Sequence, residues 1–132
     1  TNVEFAYAFN DMFSEITPMS KLIRRLAQEG NYNLFLLSNT SPLHFEHIKE
    51  KYRFINLLQK FALSYELKAL KPDASIYERT IDLLGVIPGE SLFIDDLKEN
   101  CEAAEKFGIT TIIYDKNNHK EFTEEFDSII YP

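Results

Sequence analysis

Residues 91–108, SLFIDDLKENCEAAEKFG, hold a strand, an acidic turn and a helix in one run. The apolar stretch at 91–94 has the length of a buried parallel strand. Asp95-Asp96 ends it abruptly. Beyond it, Cys101, Ala104 and Phe107 recur at helical spacing, and Gly108 stands where a helix stops. The same pattern occurs upstream. NLFLLS at 33–38 is a second apolar run, ending in Ser38-Asn39-Thr40, and Pro42 opens a helix to about residue 51. A short strand is expected at 61–64. Asp73 then starts a helix carrying Ile76, Tyr77, Ile81 and Leu84, closed by Gly85. Residues 110–114 read as a further strand, and 120–126 as part of a polar helix.

Toward the start, Thr17-Pro18 reads as an N-cap followed by Pro at the first helical position. Met19, Leu22, Ile23 and Leu26 give the helical period, and Gly30 follows. In residues 3–15 the side chains Phe5, Ala6, Phe9, Met12 and Phe13 fall on one face of a helix, so that segment is also expected to be helical.

Strands alternating with helices imply an α/β fold: a parallel sheet with helices on both faces. In such sheets ligands bind beyond the carboxyl ends of the strands. The polar residues expected there are Ser38, Asn39, Asp95 and Asp96, with Lys71 arriving from a loop. A hydroxyl and backbone amides at a strand end can hold a phosphoryl oxygen. A Lys offsets the charge of a phosphoryl group, and a carboxylate such as Asp96 is a hard-oxygen donor of the kind Mg²⁺ takes. These parts suit phosphoryl transfer, except that they include no nucleophile.

The 132 residues suit one compact domain, and 45% apolar content supplies a core. A net charge of −7 disfavours nucleic acid and anionic membranes as partners. It also means that an anionic substrate needs a local cation. The single cysteine, Cys101, cannot make an internal disulfide, which fits a reducing, cytoplasmic setting. No apolar run approaches a membrane span.

The runs LFLLSNT (34–40), SYELKALKPDASIY (64–77) and LFIDDLKENCEAAEKFGI (92–109) resemble the second, third and fourth motifs of the haloacid-dehalogenase-like (HAD) hydrolases, in that family's order. The likeness runs from about residue 16 to 114 and is nearest the subgroup with a small helical cap and a double Asp in the fourth motif. It implies a three-layer Rossmann-like core over 16–132, with 1–15 a remnant of the cap. It implies a Mg²⁺-dependent phosphatase acting on a small phosphorylated metabolite through an aspartyl phosphate. By the same resemblance Ser38 and Asn39 would bind the phosphoryl group and Lys71 would stabilise its charge. Asp96 and Asp95 would hold Mg²⁺, directly or through water, with Asn100 fixing the loop or the metal's water shell.

The family's nucleophile lies in an Asp-x-Asp motif at the end of the central strand. No Asp-x-Asp occurs in these residues. The resemblance therefore implies a truncated chain that lacks the central first strand and is inactive alone, with its partner the missing N-terminal segment or a second chain. The family also often has Gly where Lys68-Ala69 stand, at a position where positive φ would favour it.

Taken singly, each motif has a plainer explanation. Asp95-Asp96 would be a turn or cap, Lys71 a solvated lysine, and Ser38-Asn39-Thr40 a helix cap. His44 and His47 lack further ligands, and Cys101 reads as core. Two other functions compete. One is a non-catalytic phosphate- or metal-binding module. The other is a signalling receiver domain, which places its acidic pair first and its Lys last, the reverse of the order here.

Overall fold

The fold is given by a computed structural model that describes residues 4–9 and 18–131. Strand β1 (Glu4–Phe9) is followed by helix α1 (Pro18–Glu29), β2 (Asn33–Ser38) and α2 (Pro42–Lys51). A 3₁₀ turn leads to β3 (Lys60–Leu63), the single-turn α3 (Ser64–Leu67) and α4 (Ala74–Leu84). Then come β4 (Ser91–Asp95), α5 (Lys98–Glu105), β5 (Thr110–Ile113) and α6 (His119–Ile130). Gly85 closes α4 with φ 69°, a left-handed conformation that suits a residue without Cβ.

Among the described residues all strand pairs are parallel, in the order β3-β2-β1-β4-β5. The side-chain period of two divides the core. Leu34, Leu36, Leu92, Ile94 and Ile112 face a cluster built with Met19, Ile23 and Leu26 of α1 and Phe122, Phe126 and Ile130 of α6. Leu37, Ala62 and Phe93 face the opposite way, onto Ile76 and Tyr77 of α4 and Cys101 and Ala104 of α5. The result is three layers. β2 and β4 are covered on both sides, which is why their sequences are unbroken apolar runs.

The N-terminal expectation needs correction. Glu4–Phe9 is not helical; it is a strand, and it fills the central slot expected to be empty. Its register runs from Glu4↔Asn33 to Phe9↔Ser38 on β2, and from Glu4↔Ser91 to Tyr7↔Ile94 on β4. The physical reason is backbone satisfaction. An empty slot would leave unpaired N–H and C=O groups along both β2 and β4 inside the protein. The sequence EFAYAF also alternates large and small residues with period two, so it can read as a strand as well as a helix. Thr17 and the apolar residues Met12 and Phe13 lie outside the described residues.

A smaller difference concerns caps. Asp73 sits at the N-cap position of α4 but makes no side-chain capping bond. At α2 the cap is Ser41, whose hydroxyl accepts from His44 N at 3.3 Å, so Ser38, Asn39 and Thr40 are not consumed in capping that helix.

Candidate functional site

β1 leads outward to β2 and β3, and the chain then returns to place β4 on β1's other side. The carboxyl ends there form the switch point where open α/β sheets bind ligands. Ser38 is the last residue of β2 and Asp95 the last of β4, and both are buried.

Lys71 reaches this rim from the segment after β3. Its ammonium donates to Asp95 Oδ2 at 2.9 Å and to Leu37 O at 3.5 Å, so it spans the two strands that flank β1. The Lys71 side chain is 0% exposed and that of Asp95 1%. The solvated-lysine alternative therefore does not hold. Burial pushes the Lys71 ammonium below the ordinary lysine value, and Asp95 pulls it back up.

Asp95 is fully engaged. Oδ1 accepts from Leu97 N at 2.9 Å, and Oδ2 also accepts from Asn100 Nδ2 at 3.1 Å. The buried Tyr77 hydroxyl donates to Asn100 O at 2.8 Å and ties α4 to the start of α5. Asp96 differs: its Oδ1 is buried with no hydrogen-bond partner among the described residues. Desolvation first, then the adjoining Asp95 carboxyl, push the Asp96 acid up to about 6, against a downward pull from backbone and Lys71. Because Lys71 is neutralised by Asp95, Asp96 leaves the rim net negative among the described residues. An unpartnered buried carboxylate oxygen fits a hard dication, and Mg²⁺ is commonly held by one or two carboxylates plus phosphate and water. The fit falls to Asp96 rather than Asp95. No group of three His, Cys, Asp or Glu suited to a metal occurs among the described residues, and His44 and His47 are exposed on α2.

The structure thus gathers Lys71, Asp95 and Asn100 into one bonded group, with Asp96 adjoining and Ser38 at the same rim. Asn39 joins through the main chain of Lys71, accepting from its N–H at 2.9 Å and donating to its C=O at 3.2 Å. The segment carrying Lys71 contains a strained residue. Lys68, not a glycine, has φ 55°, and Arg79 Nη1 donates to Leu67 O at 2.6 Å and Lys68 O at 2.9 Å. Lys68→Gly is accordingly expected to leave stability unchanged or raise it by up to about 1 kcal/mol, since a left-handed non-glycine costs about 1–2 kcal/mol; urea denaturation checks this. Sequence reading missed Ser64 and Arg79. Position alone, at the start of the run ending in Lys71-Pro72, could have flagged Ser64.

Cys101 is 0% exposed, and burial followed by the charge of Asp95 pushes its thiol up to about 12. Native protein is expected to resist a thiol-specific reagent at pH 8 and to react only when unfolded. Labelling at the native rate of a free thiol would contradict this.

A doubly wound parallel sheet with a buried Lys–Asp pair and an unpartnered carboxylate oxygen at its switch point places the chain among the open α/β proteins, whose ligands bind beyond the strand ends. The particular family follows from comparison. Residues 3–114 match the family described as haloacid dehalogenase-like hydrolase, and the chain belongs to it. It is similar to a D-ribitol-5-phosphate phosphatase of Bacteroides thetaiotaomicron, at 29% identity over 98% of this chain and 65% of that protein. A HAD-family enzyme of Bacteroides thetaiotaomicron, solved with magnesium and inorganic phosphate, superposes with a TM-score of 0.65 at 31% identity. That match covers 75% of this chain and 53% of the other. An uncharacterized protein from Corynebacterium glutamicum shares the fold, with a TM-score of 0.77 at 18% identity over 96% of this chain and 93% of that one. The chain spans about half to two thirds of the length of the two Bacteroides relatives. No helix among the described residues is long and apolar enough to cross a membrane.

Proposed function

We propose that this chain carries the phosphoryl- and Mg²⁺-binding part of a HAD-type phosphatase that acts on a small phosphorylated metabolite. The observation behind this reading is the Lys71–Asp95 pair at 2.9 Å beside the unpartnered Asp96 oxygen at the switch point. The relative solved with magnesium and phosphate and the similarity to a sugar-alcohol phosphate phosphatase support it.

In this reading Asp96 supplies the protein oxygen for the metal, and Asp95 acts behind it by holding Lys71 and accepting from Asn100. Ser38 supplies a hydroxyl for the phosphoryl oxygens. Lys71 offsets charge on the phosphoryl group and on an attacking carboxylate. Bound Mg²⁺ would turn the net-negative rim attractive to a phosphate. In the family the attacking carboxylate belongs to an Asp-x-Asp at the end of the central strand; here β1 fills that slot, and neither it nor the rest of these 132 residues contains the motif. Loss of a covalent nucleophile typically lowers turnover by about 10⁴–10⁶-fold. The chain alone is therefore expected to bind phosphate with Mg²⁺ but not to hydrolyse esters.

The test has two arms. The chain is titrated with inorganic phosphate with and without Mg²⁺, and the full-length protein is assayed on a panel of sugar- and sugar-alcohol phosphates. Saturable, Mg²⁺-dependent phosphate binding and ester hydrolysis support the reading; absence of both sinks it. Binding with no hydrolysis by the full-length protein would favour a non-catalytic phosphate-binding module, a second reading consistent with the missing Asp-x-Asp.

Mg²⁺ affinity is also expected to depend on pH with a definite sign. Only ionised Asp96 can ligate, and its carboxyl titrates near 6. Affinity should be flat above pH 7 and fall about tenfold per unit below 6, since each ligand proton must leave. Calorimetric titrations at pH 7.5 and 5.0 measure this, and equal affinities would remove Asp96 from the metal site.

A further inference from the structure

We propose that Asn39 and Ser64 are positioning residues that lock the loop after β2 to the segment after β3, and so aim Lys71. The preceding reading supplies only what Lys71 is aimed at; the lock stands on geometry. Each side chain grips both main-chain groups of one residue on the opposite segment. Asn39 Oδ1 accepts from Lys71 N at 2.9 Å, and its Nδ2 donates to Lys71 O at 3.2 Å. Ser64 Oγ accepts from Thr40 N at 2.8 Å and donates to Thr40 O at 3.0 Å. Thr40 adjoins Asn39, so the two grips are reciprocal: one runs from the loop to the segment and the other runs back.

This arrangement matters because lysine is a long, entropically costly side chain, and its ammonium must meet Asp95 across the end of β1. Fixing the Lys71 main chain at both N–H and C=O leaves only side-chain torsions to settle. Arg79 braces the same segment further back, through Leu67 O and Lys68 O. The donor pattern also sets the amide orientation of Asn39, because a flipped amide would oppose donor to donor at Lys71 N. Asn39 is thus committed to Lys71, which differs from the direct phosphoryl contact that family resemblance implies for it.

The test uses the chain labelled with ¹⁵N-lysine and ¹⁵N-threonine. Asn39→Ala is expected to speed hydrogen exchange at the Lys71 amide about tenfold, the factor carried by one ordinary net hydrogen bond, and to move the Lys71 ammonium resonance. Ser64→Ala should speed exchange at Thr40 and, through the lock, at Lys71. Ser64→Thr keeps the hydroxyl and should restore both. Asn39→Asp keeps the acceptor and loses the donor, so it gives an intermediate result and a second variant should Asn39→Ala fail to fold. The double variant should lose less than the product of the singles, because the grips share one interface.

Inorganic phosphate binding with Mg²⁺ is read in parallel and should weaken about tenfold in Asn39→Ala, as loss of a supporting residue behind a ligand typically costs 10–100-fold. Weaker phosphate binding with Lys71 exchange and resonance unchanged would make Asn39 a direct ligand and overturn the proposal. Unchanged exchange at Lys71 in both alanine variants overturns it as well. If the wild type binds no phosphate, the functional reading fails, while the exchange data still decide the lock.

Discussion

Replacing Lys71 with Met is expected to lower unfolding free energy by about 3–5 kcal/mol, the usual result of removing one partner from a buried ion pair. The pair is unusually enclosed, with side-chain exposures of 0% and 1% and a separation of 2.9 Å. Methionine fits the volume and keeps the apolar stem, so the loss isolates the charge. Asp95 would retain Leu97 N and Asn100 Nδ2 as donors but lose the only cation in direct contact with it among the described residues. The double variant Lys71→Met, Asp95→Asn should recover a large part of the loss, because no bare charge then stays buried. Urea denaturation of the singles and the double measures the coupling. A Lys71→Met cost under about 1 kcal/mol would mean that the ammonium is solvated in solution, since exposed pairs contribute about 0–1 kcal/mol.

The second large effect concerns the N-terminal strand. Ala6 pairs with Phe35 on β2 and Phe93 on β4. Ala6→Pro removes a ladder donor and orphans a buried carbonyl, at a cost of about 2–4 kcal/mol from the lost bond and the unsatisfied acceptor. A proline in a helix would also be costly, so stability alone does not separate strand from helix. Hydrogen exchange does. With a central strand, protection should fall along Leu34–Leu37 and Leu92–Ile94 as well as in residues 4–9. Loss confined to the N-terminal segment would show that β2 and β4 do not depend on it.

Much of the architecture was legible in the sequence because buried parallel strands and amphipathic helices leave different periods. NLFLLS and SLFID stand out as unbroken apolar runs, and Gly30, Gly85 and Gly108 follow the helices they end. The polar residues at the strand ends were legible too, since open α/β sheets concentrate ligand chemistry there. The N-terminal segment was misread for a definable reason. Phe5, Ala6 and Phe9 fit a helical stripe while EFAYAF also alternates with period two, and a short apolar segment carries both signals. Only the unpaired edges of β2 and β4, brought together by tertiary structure, select the strand.

Within the site, the chain order of residue types named Ser38, Lys71, Asp95 and Asp96, but it could not divide the work between the two acids. Asp95 became the partner of Lys71 and Asp96 kept an oxygen unpartnered because the last residue of β4 points into the core while the next lies at the rim. The grips of Asn39 and Ser64 were equally invisible, since they join residues 32 and 24 positions apart through main-chain groups that every sequence possesses. Side-chain identity is written in the sequence; which backbone atoms each side chain finds depends on the distances that folding closes.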